Sequence, residues 1–100
     1  MLEKLSYTDF TVHRNSVFNI QLSSEKCFDA TLIDVSPLEN KGAEDFGRTP
    51  FSLVFHIENK EQLLQQGIYR ISHNAMGAFE IFLVPLGPDD SGIRYEAIFT

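Results

Sequence analysis

Apolar and polar side chains alternate with a two-residue period through most of this chain from residue 17 onward, and this pattern constrains the fold more than any other feature. Successive side chains of a strand point to opposite faces, so the alternation indicates strands that bury one face. It predicts six strands, over residues 17–22, 28–37, 51–57, 68–73, 78–84 and 93–99.

The connections between these segments favour an antiparallel sheet. Most are short, and no helical segment is long enough for the crossover that parallel strands require. Ser6, followed by Asp9 three residues later, resembles a capping box and predicts one short helix over residues 7–12. An apolar sheet face must be covered, so we expect an all-β fold, a small antiparallel six-stranded barrel or sandwich with a short N-terminal helix.

Three local features mark irregular positions in this sheet. Adjacent apolar residues at Leu32 and Ile33 shift the alternation and predict a β-bulge. Pro37 ends the second strand because it cannot donate to a ladder, and Gly77 suits a turn with positive φ. Residues 38–50 and 85–92 are rich in polar, Gly and Pro residues and are predicted to be loops.

Composition agrees with one domain spanning residues 1–100. A chain of 100 residues of which 43% are hydrophobic can bury a sizeable core without metals or disulfides. Nine residues are Phe, and bulky aromatic side chains fit a sheet-based core.

Net charge and cysteine content exclude some classes of partner and of covalent cross-link. A net charge of -6, with the eight Lys and Arg residues scattered, opposes binding to nucleic acid or to anionic membranes. Cys27 is the only cysteine, which excludes an internal disulfide. The N-terminus lacks the apolar stretch of a signal peptide and no transmembrane segment occurs, so we expect a cytoplasmic protein.

No segment predicts a metal, cofactor or catalytic site. Asp89 and Asp90 precede Ser91 and Gly92, but adjacent acids do not have the alternate spacing of a calcium loop, and a plain turn is the better interpretation. His13, His56 and His73 have no metal-ligand spacing with one another or with Cys27.

A nucleophilic role for Cys27 lacks an indicated base and orienting group, so we predict no catalytic residue. Arg94 and Glu96 share one face of the sixth strand, while Tyr95 takes the core face. This pattern favours an ordinary solvent-side charge arrangement.

The fifth strand departs from simple alternation. Its second face carries Phe82 and Val84, and Ile98 lies on the corresponding face of the last strand. An antiparallel strand with one wet face should not be apolar on both sides. We therefore expect this face to be covered, either by the N-terminal helix with Leu5 and Phe10 or by a partner, which makes Phe82, Val84 and Ile98 candidate partner contacts.

Nearly the whole chain is similar to a family of small bacterial domains of unknown function, about 100 residues long. The resemblance rests on a closing run over residues 82–99, in the pattern FLVPxGPDxxGxRYEAxF, and on matches at 5–10, 51–55 and 66–70, with His73 and Gly77. The chain departs from the family at 24–26, where Gly is more usual, and in the 38–50 loop. Members resemble accessory proteins encoded near phage-tail-like proteins, and the family implies no catalytic residues.

Three functions remain open from the sequence. The leading hypothesis is a non-enzymatic interaction or assembly module, binding a protein partner or itself, in a phage-tail-like structure. The second is a small-ligand carrier that uses a barrel interior, although nine Phe would fill one readily. The third is an enzyme, which would need clustered titratable groups such as a His beside Asp89 or Glu96.

Overall fold

A computed structural model describes residues 5–24, 26–38, 50–58 and 63–99 of the chain. These residues form one short helix and six strands. Their bounds are α1 Tyr7–Thr11, β1 Val17–Gln21, β2 Cys27–Pro37, β3 Phe51–Ile57, β4 Gly67–His73, β5 Gly77–Pro88 and β6 Ile93–Phe99. Within the described residues, no helix has the length and apolar character needed to cross a membrane.

The six strands close into an antiparallel barrel with the order β1-β2-β3-β6-β5-β4, so the fold class predicted from the sequence is confirmed and the barrel is realised rather than the sandwich. Pairing between β1 and β4 completes the circle, with the register Asn19↔Ser72, Ile20↔Ile71 and Gln21↔Arg70. This seam is shorter than the β3–β6 ladder, which pairs every residue of β3 from Phe51 to Ile57.

The barrel interior is filled by side chains from every strand, as the alternation predicts. β3 contributes Phe51, Leu53, Phe55 and Ile57, all buried. β6 contributes Tyr95, whose hydroxyl accepts a hydrogen bond from the Leu64 backbone N–H at 3.0 Å. Burial of these side chains away from water supplies the main term that stabilises the fold.

Helix α1 supplies one further core residue, Phe10. The Ser6 and Asp9 capping box forms, with the Ser6 N–H donating to Asp9 Oδ2 at 2.8 Å. This cap fixes the start of a helix too short to be stable alone. Phe10 is fully buried, with its ring centroid 5.5 Å from that of Phe99, 5.7 Å from Phe51 and 6.0 Å from Phe79. The helix therefore packs its aromatic ring into the barrel core.

Two predicted irregularities are confirmed. The β2–β3 register shifts between Leu32 and Asp34, which is the bulge expected at Leu32 and Ile33. Gly77 has φ +80 at the β4–β5 turn, a backbone conformation that glycine adopts without steric penalty. Most of the predicted 38–50 loop lies outside the described residues.

The end predicted for the fifth strand is wrong. β5 continues through Pro88 instead of ending at Val84, with a register shift between Pro85 and Gly87. The last pair with β4 is Gly67↔Leu83, so from Val84 onward β5 pairs only with β6. Proline is compatible with a strand that needs no donor on its second edge, and Gly87, with φ +114, accommodates the bulge.

Of the two covers expected for the second face of β5, the N-terminal helix is wrong, and a partner stays a prediction. Phe10 contacts Phe79, which lies on the inner face of β5, and Phe82 on the outer face is 50% exposed. The helix packs inward because Phe10 completes an aromatic cluster inside the barrel. The outer face of β5 is left uncovered by α1.

Candidate functional site

The turn between β5 and β6 is built around one carboxylate oxygen. Asp89 Oδ1 accepts the backbone N–H groups of Ser91 and Gly92, each at 2.8 Å, and the Ser91 hydroxyl at 3.2 Å. The Asp89 N–H in turn donates to the Gly92 carbonyl at 2.7 Å. An aspartate that accepts backbone donors two and three residues ahead is the side-chain mimic of a tight turn.

The barrel brings His56 of β3 to this turn. Its Nε2 lies 3.1 Å from Ser91 Oγ and 3.5 Å from Asp89 Oδ1, and the side chain is only 13% exposed. Arg94 Nε lies 3.8 Å from the other oxygen, Asp89 Oδ2. The sequence analysis named a His beside Asp89 as a condition for an enzyme without saying which His, and the structure shows that it is His56, far from the turn along the chain. Knowledge that His56 pairs with Arg94 in the β3–β6 register would have placed His56 near the turn.

Ser91, His56 and Asp89 are the residue types of a hydrolytic triad, but their arrangement is different. In a triad the carboxylate and the hydroxyl bind opposite nitrogens of the imidazole. Here both oxygens approach Nε2. The neighbouring N–H groups of Ser91 and Gly92, which could otherwise stabilise an oxyanion, are directed at Asp89. We name these three residues the turn cluster, and their contacts fit a structural role.

Electrostatics in the turn cluster follow from its hydrogen bonds. The Ser91 backbone N–H, followed by that of Gly92 and by the His56 and Ser91 side chains, lowers the pKa of Asp89 from 3.8 to about 2. Partial desolvation opposes this shift without cancelling it. Asp89 therefore remains a carboxylate at neutral pH, and its charge is stabilised by the donors of the turn.

A second grouping joins two histidines from opposite parts of the chain. The rings of His13, after α1, and His73, at the end of β4, have centroids 4.4 Å apart, and His73 also packs 4.5 Å from Phe18. His73 Nδ1 accepts the Ala75 N–H at 3.0 Å. Burial, and then the charge of His13, lower the pKa of His73 below 6.5. Among the described residues, no three His, Cys, Asp or Glu side chains are grouped to hold a metal.

The predicted partner contacts lie on the outer face of β5 and its neighbours. Phe82 is 50% exposed and Ile98 is 58% exposed, whereas Val84 is partly buried. The structure adds Ile68 of β4, 69% exposed, which is the register partner of Phe82. Val84 pairs with Glu96, so Phe82 and Ile98 each lie two residues beyond that pair on the outer face. Ile68 and Phe82 are paired and exposed, and Ile98 is exposed on the outward face of β6; we call these three residues the apolar row.

Charged residues of both signs border the apolar row. Arg70 and Glu80 are register partners one outward position along β4 and β5. Glu96 lies one outward position along β6 in the opposite direction, opposite Val54 of β3. The row is therefore an apolar centre with a charged rim, the composition found in protein contact surfaces.

Cys27, the remaining candidate, is exposed at the first position of β2, opposite Gln21 of β1. Lys26 beside it lies over the Phe28 ring, 5.7 Å from the centroid. The prediction that Cys27 is not catalytic stays a prediction.

Comparison with known proteins identifies a family for this chain. Residues 5–99 match the family described as Domain of unknown function (DUF6916). No curated protein matches, and no solved structure matches.

Proposed function

We propose that this chain, which belongs to that family of domains of unknown function, is a non-enzymatic assembly module that binds a second copy of itself through the apolar row. The observation that supports the proposal is the exposure of three large apolar side chains on the outward faces of β4, β5 and β6, namely the paired residues Ile68 and Phe82, and Ile98. Contiguous exposed apolar side chains rimmed by polar groups mark contact sites, because their burial on association is favourable.

The charges around the row favour a second copy as the occupant. In a two-fold interface the same patch meets itself, so every contact occurs twice. Arg70, paired with Glu80, borders the row on one side, and Glu96 borders it on the other. A two-fold arrangement can bring Arg70 of each copy to Glu96 of the other, and this pair of border charges then attracts. The finer form of this proposal places the assembly in a phage-tail-like structure, as the sequence resemblance implies.

The alternatives have less support. A carrier that uses the barrel interior would need internal space, but the inward side chains and Phe10 are packed together there. An enzyme would need an activated group, and the turn cluster directs its donors to Asp89 instead of to a substrate position.

The test is the molar mass in solution, by size-exclusion chromatography with light scattering over a range of concentrations. We expect a concentration-dependent dimer, and a monomer for Phe82→Lys, because a buried ammonium without a partner opposes association. Leu63→Lys is the matched control, since Leu63 is also 50% exposed but lies off the three strands of the row. It should keep the dimer.

A charge exchange sharpens this test. Arg70→Glu should weaken the dimer by placing two glutamates together, and adding Glu96→Arg in the same chain should restore it. A wild-type chain that is monomeric at every concentration would overturn the proposal. So would a Phe82→Lys variant that is folded by circular dichroism and still dimeric.

A further inference from the structure

A cleft of about 500 Å³ lies on the outside of the barrel, and its lining does not include the residues of the apolar row. It is lined by residues of β1, β2 and the β4–β5 hairpin. Asp29, Asn19 and Ser72 form its polar floor, since the register Asn19↔Asp29 and Asn19↔Ser72 sets them side by side across three strands. Asn74, from the hairpin turn, adds a fourth polar side chain to the wall.

The hydrogen-bonding capacity of these side chains is unused within the described part of the protein. None of the four side chains is hydrogen-bonded to another residue that the structure describes, in contrast to those of the turn cluster. His73 also lines the cleft, and because its Nδ1 accepts the Ala75 N–H, the neutral ring carries its proton on Nε2. The cleft thus presents one carboxylate, two amides, a hydroxyl and an imidazole.

We propose that this cleft binds a neutral saccharide, one or two pyranose rings in size. Each sugar hydroxyl both donates and accepts, which matches a set that mixes the acceptor Asp29, the two amides and the Ser72 hydroxyl. Val17 and Ala78 supply apolar surface for the C–H face of a ring. The volume falls within the range of about 300–1,000 Å³ typical of small-molecule sites.

Other small ligands fit the lining less well. A phosphate would need a cation, and the described lining contains Asp29 but no Lys or Arg. A nucleobase would need an exposed aromatic face, but Phe18 is fully buried and the His73 ring packs against Phe18 and His13. The polar set therefore selects hydroxyl groups.

The experiment is a ¹H–¹⁵N correlation titration of the full chain with the methyl glycosides of glucose, galactose, mannose and N-acetylglucosamine, together with their disaccharides. We expect at least one to give saturable shifts at Asn19, Asp29, Ser72 and Gly77. Inorganic phosphate and ethylammonium serve as the comparison probes. Saturable binding of either at the cleft, without a sugar, would overturn the proposal.

Two variants connect the binding to the cleft. Asp29→Asn should weaken sugar binding by about tenfold, because a hydrogen bond to a charged acceptor is stronger than one to a neutral acceptor. Asp90→Asn is the matched control, an exposed carboxylate in the β5–β6 turn outside the cleft lining, and should bind as the wild type does. Absence of saturable shifts with every sugar, or equal loss in the control, would contradict the assignment. Neither result affects the dimer test, which uses other residues.

Discussion

The turn cluster and the cleft are two polar groupings of this barrel, and they differ in whether their side chains form hydrogen bonds within the protein. In the turn cluster, one oxygen of Asp89 accepts two backbone N–H groups and the Ser91 hydroxyl. In the cleft, the Asn19, Asp29, Ser72 and Asn74 side chains have no such bonds among the described residues. Polar groups bonded within the protein hold a fold, whereas solvent-accessible ones beside a cleft keep their donors and acceptors for water or a ligand.

This difference shows that the type of a residue does not by itself indicate its role. Ser, His and Asp occur together in the turn cluster as they do in some active sites. Asp89 accepts backbone N–H groups there, and the Ser91 and His56 side chains contact Asp89 and each other. The cleft contains residue types that are common on protein surfaces. Because their donors and acceptors are available, the cleft is a stronger candidate for ligand binding than the turn cluster. Four sets of variants test whether the distinction holds.

The largest effect should come from Gly92→Ala. A Cβ at this position would overlap the backbone carbonyl of Ile57, so the turn or β3 must shift. We expect the free energy of unfolding to fall by about 2–3 kcal/mol, as for overpacked core positions. Urea unfolding measures this. The matched control is Gly67→Ala, because a Cβ there meets nothing within 4 Å; equal losses in both variants would show that the turn is not specially constrained.

Removing the carboxylate of Asp89 should give the next effect. Asp89→Ala deprives the Ser91 and Gly92 N–H groups of their acceptor, so the unfolding midpoint should fall, by less than in Gly92→Ala. The lowered pKa of Asp89 also adds stability above its ordinary value of 3.8, which is lost as pH falls toward about 2. Thermal melts over this range should show a smaller loss for Asp89→Asn than for the wild type. An unchanged pH profile in that variant would contradict the assigned cause.

The histidine pair at the edge of the cleft should give a smaller effect at higher pH. Because the pKa of His73 is lowered from 6.5 in the folded state, the unfolded chain binds the proton more readily. Stability should therefore decrease as pH falls through and below 6.5. His13→Asn should reduce this decrease without abolishing it, because burial, the larger cause, remains. Melts of both proteins across pH 6.5 measure it, and a steeper loss in the variant would oppose this account.

The smallest effect should come from the cleft itself. Ser72→Ala and Asn74→Ala remove side chains that make no hydrogen bond to the described residues, so the free energy of unfolding should change by no more than about 0.5 kcal/mol. Urea unfolding beside Ser91→Ala, which removes a bonded hydroxyl, gives the direct contrast. A cleft variant that is as destabilised as Ser91→Ala would remove the distinction between the two groupings.

Much of the fold could be predicted from the sequence, because a strand that buries one face shows apolar residues at every second position. The inward residues of β3 and β6, the bulge at Leu32 and Ile33, and the turn at Gly77 follow from local rules. The true end of β5 could not be predicted. Pro85 and Pro88 are normally strand breakers, and only the pairing pattern shows that this part of β5 has an edge that needs no donor.

The candidate sites were less predictable, because they depend on register between distant strands. Phe82 and Ile98 could be named from an irregular alternation, but Ile68 is a normal strand residue until its pairing with Phe82 is known. The His13 and His73 contact, and the approach of His56 to Asp89, likewise arise from barrel closure. Without the strand register, the sequence identifies single residues of these sites but does not show which residues lie beside them.

The short pairing between β1 and β4 has a consequence for local opening of the barrel. A seam of three residue pairs should open more often than the longer β3–β6 ladder, and its amide protons should exchange sooner with solvent. Asn19 and Ser72 are paired across that seam and also line the cleft. A molecule that bridges Asn19 and Ser72 would oppose the opening. Binding in the cleft would then be measurable as slower amide-proton exchange in β1 and β4.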